Sequence, residues 1–123
     1  MKKWIGVVAA LLAGTAVALG AFGAHALKES LLQAGRFDTY ETAVRYQFYH
    51  ALALFMLYVA QRHLPWRRVQ WVAVCFTLGI LLFSGSLYAI CFTGMTTWGA
   101  VAPLGGLLFM AGWLFLAFTV WKN

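Results

Sequence analysis

The segment "YQFYHALA" sets three side chains able to do chemistry, Tyr46, Gln47 and His50, inside an otherwise apolar run. With Ala43 and Leu54 they recur at intervals of three and four, so on a helix they share one face. An imidazole takes up or releases a proton near neutral pH. An amide and a phenol can hydrogen-bond either a ligand or a neighbouring helix. Two readings follow. These groups tie helices together, or they form a proton relay or ligand pocket. The partners on offer are Ser84 and Ser86 in "FSGSLY", and the small residues Gly105 and Gly106 in "APLGG". A further histidine, His25, closes the apolar run "GAFGAH".

Other chemistries find no support. There is no G-x-S-x-G elbow, no H-E-x-x-H, no phosphate-cradling glycine loop with lysine, and no pair of carboxylates inside an apolar segment. The acids, Glu29, Asp38 and Glu41, all precede the apolar part of the second long segment. Cys75 and Cys91 lie 16 residues apart in one predicted helix, about 24 Å of rise, so they cannot bridge and read as packing residues. Neither metal nor other cofactor is expected, and no catalytic residue.

The elements that must carry these groups are membrane spans. The chain has 123 residues, 63% hydrophobic and 10% charged, against about 25% charged in soluble domains. Only Lys2 and Lys3 are charged before Ala26, and nothing is charged from Val69 to Trp121. Since about 20 apolar residues cross the hydrocarbon, the expected fold class is all-α: a polytopic membrane protein, one domain over residues 1–123. It is read as a four-transmembrane-helix bundle with spans at about 4–24, 43–61, 69–88 and 98–121. A short amphipathic helix at 26–37, closed by Gly35, is expected at the lipid–water interface. In "DTYE", Asp38 is expected to cap the second long helix with Glu41 reaching back, and Glu41 to pair with Arg45. Pro65 ends that helix. Trp4, Trp66, Trp71, Trp98 and Trp121 fall near span ends, as interfacial anchors do.

The first span also fits a signal peptide, with Ala24-His25-Ala26 as an A-x-A site. Its apolar run of nearly 20 residues exceeds the 7–15 of a signal core, so it is expected to be retained. The net charge of +6 is not gathered into a stripe for nucleic acid. It sits in clusters beside the spans. Lys2, Lys3, Arg62, Arg67, Arg68 and Lys122 fall on one side, and Lys28, Arg36 and Arg45 on the other. By the positive-inside rule both termini are expected in the cytoplasm.

Counting 1.5 Å per residue from the cationic border puts Gln47 at about 22 Å, Tyr46 at about 24 Å and His50 at about 18 Å. Ser84, Gly85, Gly105 and Gly106 come at about 24–26 Å, Gly20 at about 25 Å and Pro103 at about 28 Å. The polar and glycine positions thus share a layer in the outer third. Pro103, Gly105 and Gly106 are a candidate helix interruption with free backbone groups, as in transporters. His25 lies at about 33 Å, some 15 Å from His50, too far for a shared metal or haem. It is read as capping the carbonyl end of span 1 or touching the next loop. Gly6, Ala10, Gly14 and Ala18 form a ladder every four residues, a seam against another helix of this chain or of a second copy.

Taken together, "GAFGAH", "YQFYHALA", "FSGSLY" and "APLGG…GW" resemble the small four-span membrane proteins of the YgdD type in bacteria, transmembrane protein 256 in eukaryotes. The resemblance covers nearly the whole chain. It implies a retained first span and a bacterial inner or plasma membrane, and carries no established activity, substrate or catalytic residue. The expected function is non-enzymatic, acting through helix contacts in a homo-oligomer or larger membrane complex among membrane lipids. The alternative is a small transporter, channel or small-molecule or lipid binder using the outer polar layer.

Overall fold

A computed structural model describes residues 2–123, nearly all of them helical. The elements are α1 (Lys3–Ala24), α2 (Lys28–Gln33), α3 (Phe37–Ala60), α4 (Trp66–Gly79), α5 (Gly85–Thr93) and α6 (Ala102–Trp121). A π-helical turn, Ile80–Ser84, joins α4 to α5 without a break, so Trp66–Thr93 is one continuous rod. Three helical stretches are long and apolar enough to cross a membrane: Lys3–Ala24, Trp66–Thr93 and Thr96–Trp121. The remaining long helix, α3, carries Asp38, Glu41, Arg45, Gln47 and His50 and is the less apolar for them.

The rods run up and down in order. α1 lies along α3, α3 along the α4–α5 rod, and α6 along α4 and the π turn. Their cationic ends meet. The Lys2 backbone N–H donates to Gln61 Oε1 at 2.7 Å, and Asn123 Nδ2 donates to the His63 carbonyl at 2.9 Å. Lys2 and Arg67 sit over the Trp66 ring, and Arg68 over Phe118. Above this end the core is largely apolar, with Ile5, Ala9, Leu54, Leu57, Val69, Val72, Ala73 and Phe76 buried together; the buried Thr119 hydroxyl turns back to the Phe115 carbonyl of its own helix at 2.8 Å.

Three local expectations need correction. Asp38 does not cap α3. The helix starts at Phe37, with Arg36 in the cap position and no side-chain cap. The cause lies upstream: Gly35 takes a left-handed φ of 68°. Arg36 N–H then donates to the Leu31 carbonyl and Gly35 N–H to that of Leu32, a Schellman closure of α2. That closure delivers the chain straight into α3. Asp38 falls in the first turn, where its charge still suits the helix dipole. The Glu41–Arg45 pair forms at 3.0 Å. In α2, Leu31 is the buried residue.

The small-residue ladder is not the seam between α1 and α3. Ile5, Ala9, Ala16 and Gly23 are the buried residues of α1, whereas Ala10, Gly14 and Ala18 are exposed. Of the ladder only Gly6 is pressed, against the Tyr58 ring. Nor is the last span interrupted. Pro103 sits in the first turn of α6, where a missing N–H is harmless, and the helix runs unbroken to Trp121.

Candidate functional site

The polar residues gather into two sets on α3, a turn apart. Gln47 is 3% exposed and ties its own helix to two others. Its Nε2 donates to the Leu12 carbonyl at 2.9 Å and to Thr15 Oγ1 at 2.8 Å, both on α1. Its Oε1 accepts from the Tyr88 hydroxyl of α5 at 2.7 Å. Both amide hydrogens and the carbonyl are therefore engaged. About two turns earlier, the Tyr40 hydroxyl donates to the Leu19 carbonyl of α1, and the Tyr40 ring meets Tyr88 and Phe92 edge-on. Gly23 makes room for that ring: a Cβ there would strike it.

His50 is 5% exposed and sits in an aromatic box. It stacks on Phe109 with centroids 3.6 Å apart and meets Phe76 edge-on at 5.3 Å. Its Nε2 lies 3.0 Å from the Trp113 indole N–H, a donor only, so Nε2 must accept. Its Nδ1 lies 2.8 Å from the Tyr46 carbonyl, an acceptor, so Nδ1 must carry the hydrogen. The two contacts define one tautomer of neutral imidazole. A second proton on Nε2 would set two donors against each other in an apolar box. Neither nitrogen is left for a metal or a relay.

The serines do not join these sets, which corrects the expected network. Ser84 Oγ donates across to the Ala43 carbonyl of α3 at 2.7 Å. Ser86 Oγ turns back to Phe83 of its own helix at 2.8 Å. Both are buried, and a hydroxyl surrounded by apolar groups takes the nearest free carbonyl. The π turn beside Ser84 brings the Phe83 backbone against Gly105, and a Cβ at Gly105 would collide with the Phe83 N and Cα. Gly106 lies more loosely against the Phe83 ring.

Two of the expected site residues stand outside. His25 is exposed at the end of α1. Its backbone N–H bonds to Phe22, and among the described residues its side chain has no hydrogen-bond partner, so it joins no cluster. Tyr46 is 40% exposed; its ring packs on Phe83 at 4.9 Å. Among the described residues, no three of His, Cys, Asp and Glu come close enough to hold a metal ion. Cys75 and Cys91 are free thiols.

Sequence reasoning missed Thr15, Tyr88 and Trp113. Trp113 had a signal: it is the sixth tryptophan, set in mid-span away from the interfaces that explain the other five, and a buried indole N–H needs an acceptor.

Apolar helices of membrane-crossing length, with polar side chains turned inward onto one another, define a helical membrane protein. Comparison with known proteins makes this specific. The family described as "Protein of unknown function (DUF423)" matches residues 19–106. The UPF0382 membrane protein SH2409 of Staphylococcus haemolyticus is 41% identical over 122 residues, covering 99% of this chain and 98% of that protein. The UPF0382 inner membrane protein YgdD of Escherichia coli K12 is 42% identical over 101 residues, covering 79% of this chain and 73% of that protein. The chain belongs to this DUF423/UPF0382 membrane protein family. No solved structure matches it.

Proposed function

We propose that this is a four-span protein of the bacterial inner membrane, with both termini cytoplasmic, that does no chemistry of its own and acts through its outward helix faces. It works as a small homo-oligomer or as a subunit of a larger membrane complex. The observation that carries this reading is the complete internal engagement of Gln47 and His50. A carrier, channel or binder in the polar layer needs a free polar atom there, and these two side chains have none. A tie between helices needs them all. The name of the Escherichia coli relative supports the inner membrane. The fourth span is α3, whose 24 residues reach about 36 Å. It points Leu52, Phe55, Met56 and Val59 outward and its amide and imidazole inward, as a span in lipid must. The short α2, with Leu31 inward and Lys28 and Glu29 outward, suits the interface between lipid and water.

The outward face of α1 supports the oligomer. The fold leaves Ala10, Gly14 and Ala18 uncovered, and small residues let a second helix approach closely. Native mass spectrometry of the full chain in nanodiscs tests this. A dimer or larger assembly is expected. Gly14→Leu should reduce it to a folded monomer, because nothing lies within 4 Å of a Cβ at that position. A wild-type protein that is monomeric under these conditions, and crosslinks to no other membrane protein in cells, contradicts the reading.

A further inference from the structure

An apolar groove of about 200 Å³ runs between α3 and α6 in the cationic half of the molecule. Ala53 and Ala60 hollow one wall, Leu116 forms the other, and Leu64 and Val120 stand at its lower end. From Ala53 to Ala60 it is about 10 Å long. Its upper end is stopped by Trp113, whose indole is pinned by His50. The groove is therefore an apolar slot between the two helices, with Trp113 at one end and Leu64 and Val120 at the other.

The lower end is cationic. Arg62 and His63 lie in the turn Gln61–His63 between Ala60 and Leu64, and Lys122 follows Val120 by two residues. The Asn123–His63 hydrogen bond holds the end of α6 against that turn, so Arg62 and Lys122, each next in sequence to one of the bonded residues, stand close to the lower end. Both are exposed. Lys2, Arg67 and Arg68 rest over aromatic rings, whereas Arg62 and Lys122 have no acidic or aromatic partner among the described residues. The acids Glu29, Asp38 and Glu41 all belong to α2 and the start of α3, at the far end. The positive-inside rule accounts for the number of charges at this end. It does not account for two of them standing close to the lower end of a hollow apolar slot. Basic residues between membrane helices are a recurring receptor for lipid head groups.

We infer that this groove holds the first several methylenes of one acyl chain of an anionic phospholipid from the leaflet at the cationic end, with its phosphate between Arg62 and Lys122. The slot takes those methylenes, and the unpaired cations complement the head group. The inference rests on the membrane reading but not on the oligomer.

The test uses the full chain stripped of lipid in a neutral detergent. It is then mixed with phosphatidylglycerol or phosphatidylethanolamine of identical acyl chains and followed by native mass spectrometry. Phosphatidylglycerol adducts should survive collisional activation several-fold better than phosphatidylethanolamine adducts. Arg62→Gln combined with Lys122→Gln should abolish that preference. Ala60→Phe should reduce retention of both lipids, Lys28→Gln at the far end should change nothing, and excess inorganic phosphate should not displace the lipid. Equal retention of the two lipids by the wild type overturns the inference. So does an undiminished preference in the Arg62/Lys122 variant, full lipid retention by folded Ala60→Phe, or displacement by phosphate. Arg62 and Lys122 are exposed, so their variant folds and decides the matter even where Ala60→Phe does not. Loss of the oligomer with the lipid preference intact would sink the proposed function and spare this site.

Discussion

The polar and cationic halves of the same helix packing are held together by different means. In the polar half, α1, α3 and the α4–α5 rod are joined by hydrogen bonds from Tyr40, Gln47 and Ser84, each landing on another helix. In the cationic half the same helices meet mainly through the apolar Ile5, Ala9, Leu54, Leu57, Val69 and Val72, and a hydrogen bond, Lys2 to Gln61, joins them only at the very end. In water the second half would dominate, because burial of apolar surface drives folding there. In a bilayer an apolar side chain has little to gain by leaving a lipid tail for another apolar side chain. The apolar half then contributes close packing, and the hydrogen-bonded half fixes which helix lies beside which and at what height.

The largest expected effect comes from the closest approach. Gly105→Leu sets a side chain against the Phe83 backbone, which cannot swing away as a side chain tip could. Destabilisation at or above about 3 kcal/mol should appear as loss of the folded species on size exclusion in mild detergent. Next is Gln47→Leu, which keeps the bulk and removes three hydrogen bonds. At about 0.6 kcal/mol each in a bilayer, the loss is about 2 kcal/mol, measured by unfolding in bicelles. The like-sized swap Leu54→Met in the apolar half should cost less than about 1.5 kcal/mol. A reversal of that order breaks the comparison.

His50→Phe is expected to be milder, at about 1 kcal/mol, since stacking on Phe109 is kept and only the Trp113 and Tyr46 contacts go. Nitrogen NMR of the wild type should show neutral imidazole protonated at Nδ1. Protonation at Nε2 alone would contradict the Trp113 contact. Smallest of all is Glu41→Gln. It removes an ion pair whose arginine is 59% exposed, and its effect should stay below about 0.5 kcal/mol in the same unfolding assay.

Much of this architecture was legible in the residues. The uncharged stretch from Val69 to Trp121 and the three–four spacing of Ala43, Gln47, His50 and Leu54 announced the long helices and the inward face of α3, though Tyr46, placed on that face by the same spacing, is exposed. Rise per residue brought Ser84 and Gly105 to similar heights, and the two do lie on either side of Phe83. What could not be read was which acceptor each donor would choose. Ser84 bonds a backbone carbonyl, and every residue supplies one of those, so composition is silent about it. Helix rotation was equally hidden. Gly14 and Ile5 are both plausible seam residues on paper, and only the bulk of Tyr40 and Tyr58 turning against Gly23 and Gly6 decides which face of α1 goes inward. The Asp38 cap was misread because the left-handed Gly35 closes α2 and opens α3 within two residues.

The central claim is that the polar layer holds the helices together, and a double-mutant cycle on Gln47→Leu and Tyr88→Phe addresses it most directly. Measured by unfolding in bicelles, the pair should be coupled by about 1 kcal/mol, the two changes together costing less than their sum. Effects that add to within about 0.3 kcal/mol would mean that the amide and the phenol are neighbours without being a bond that matters.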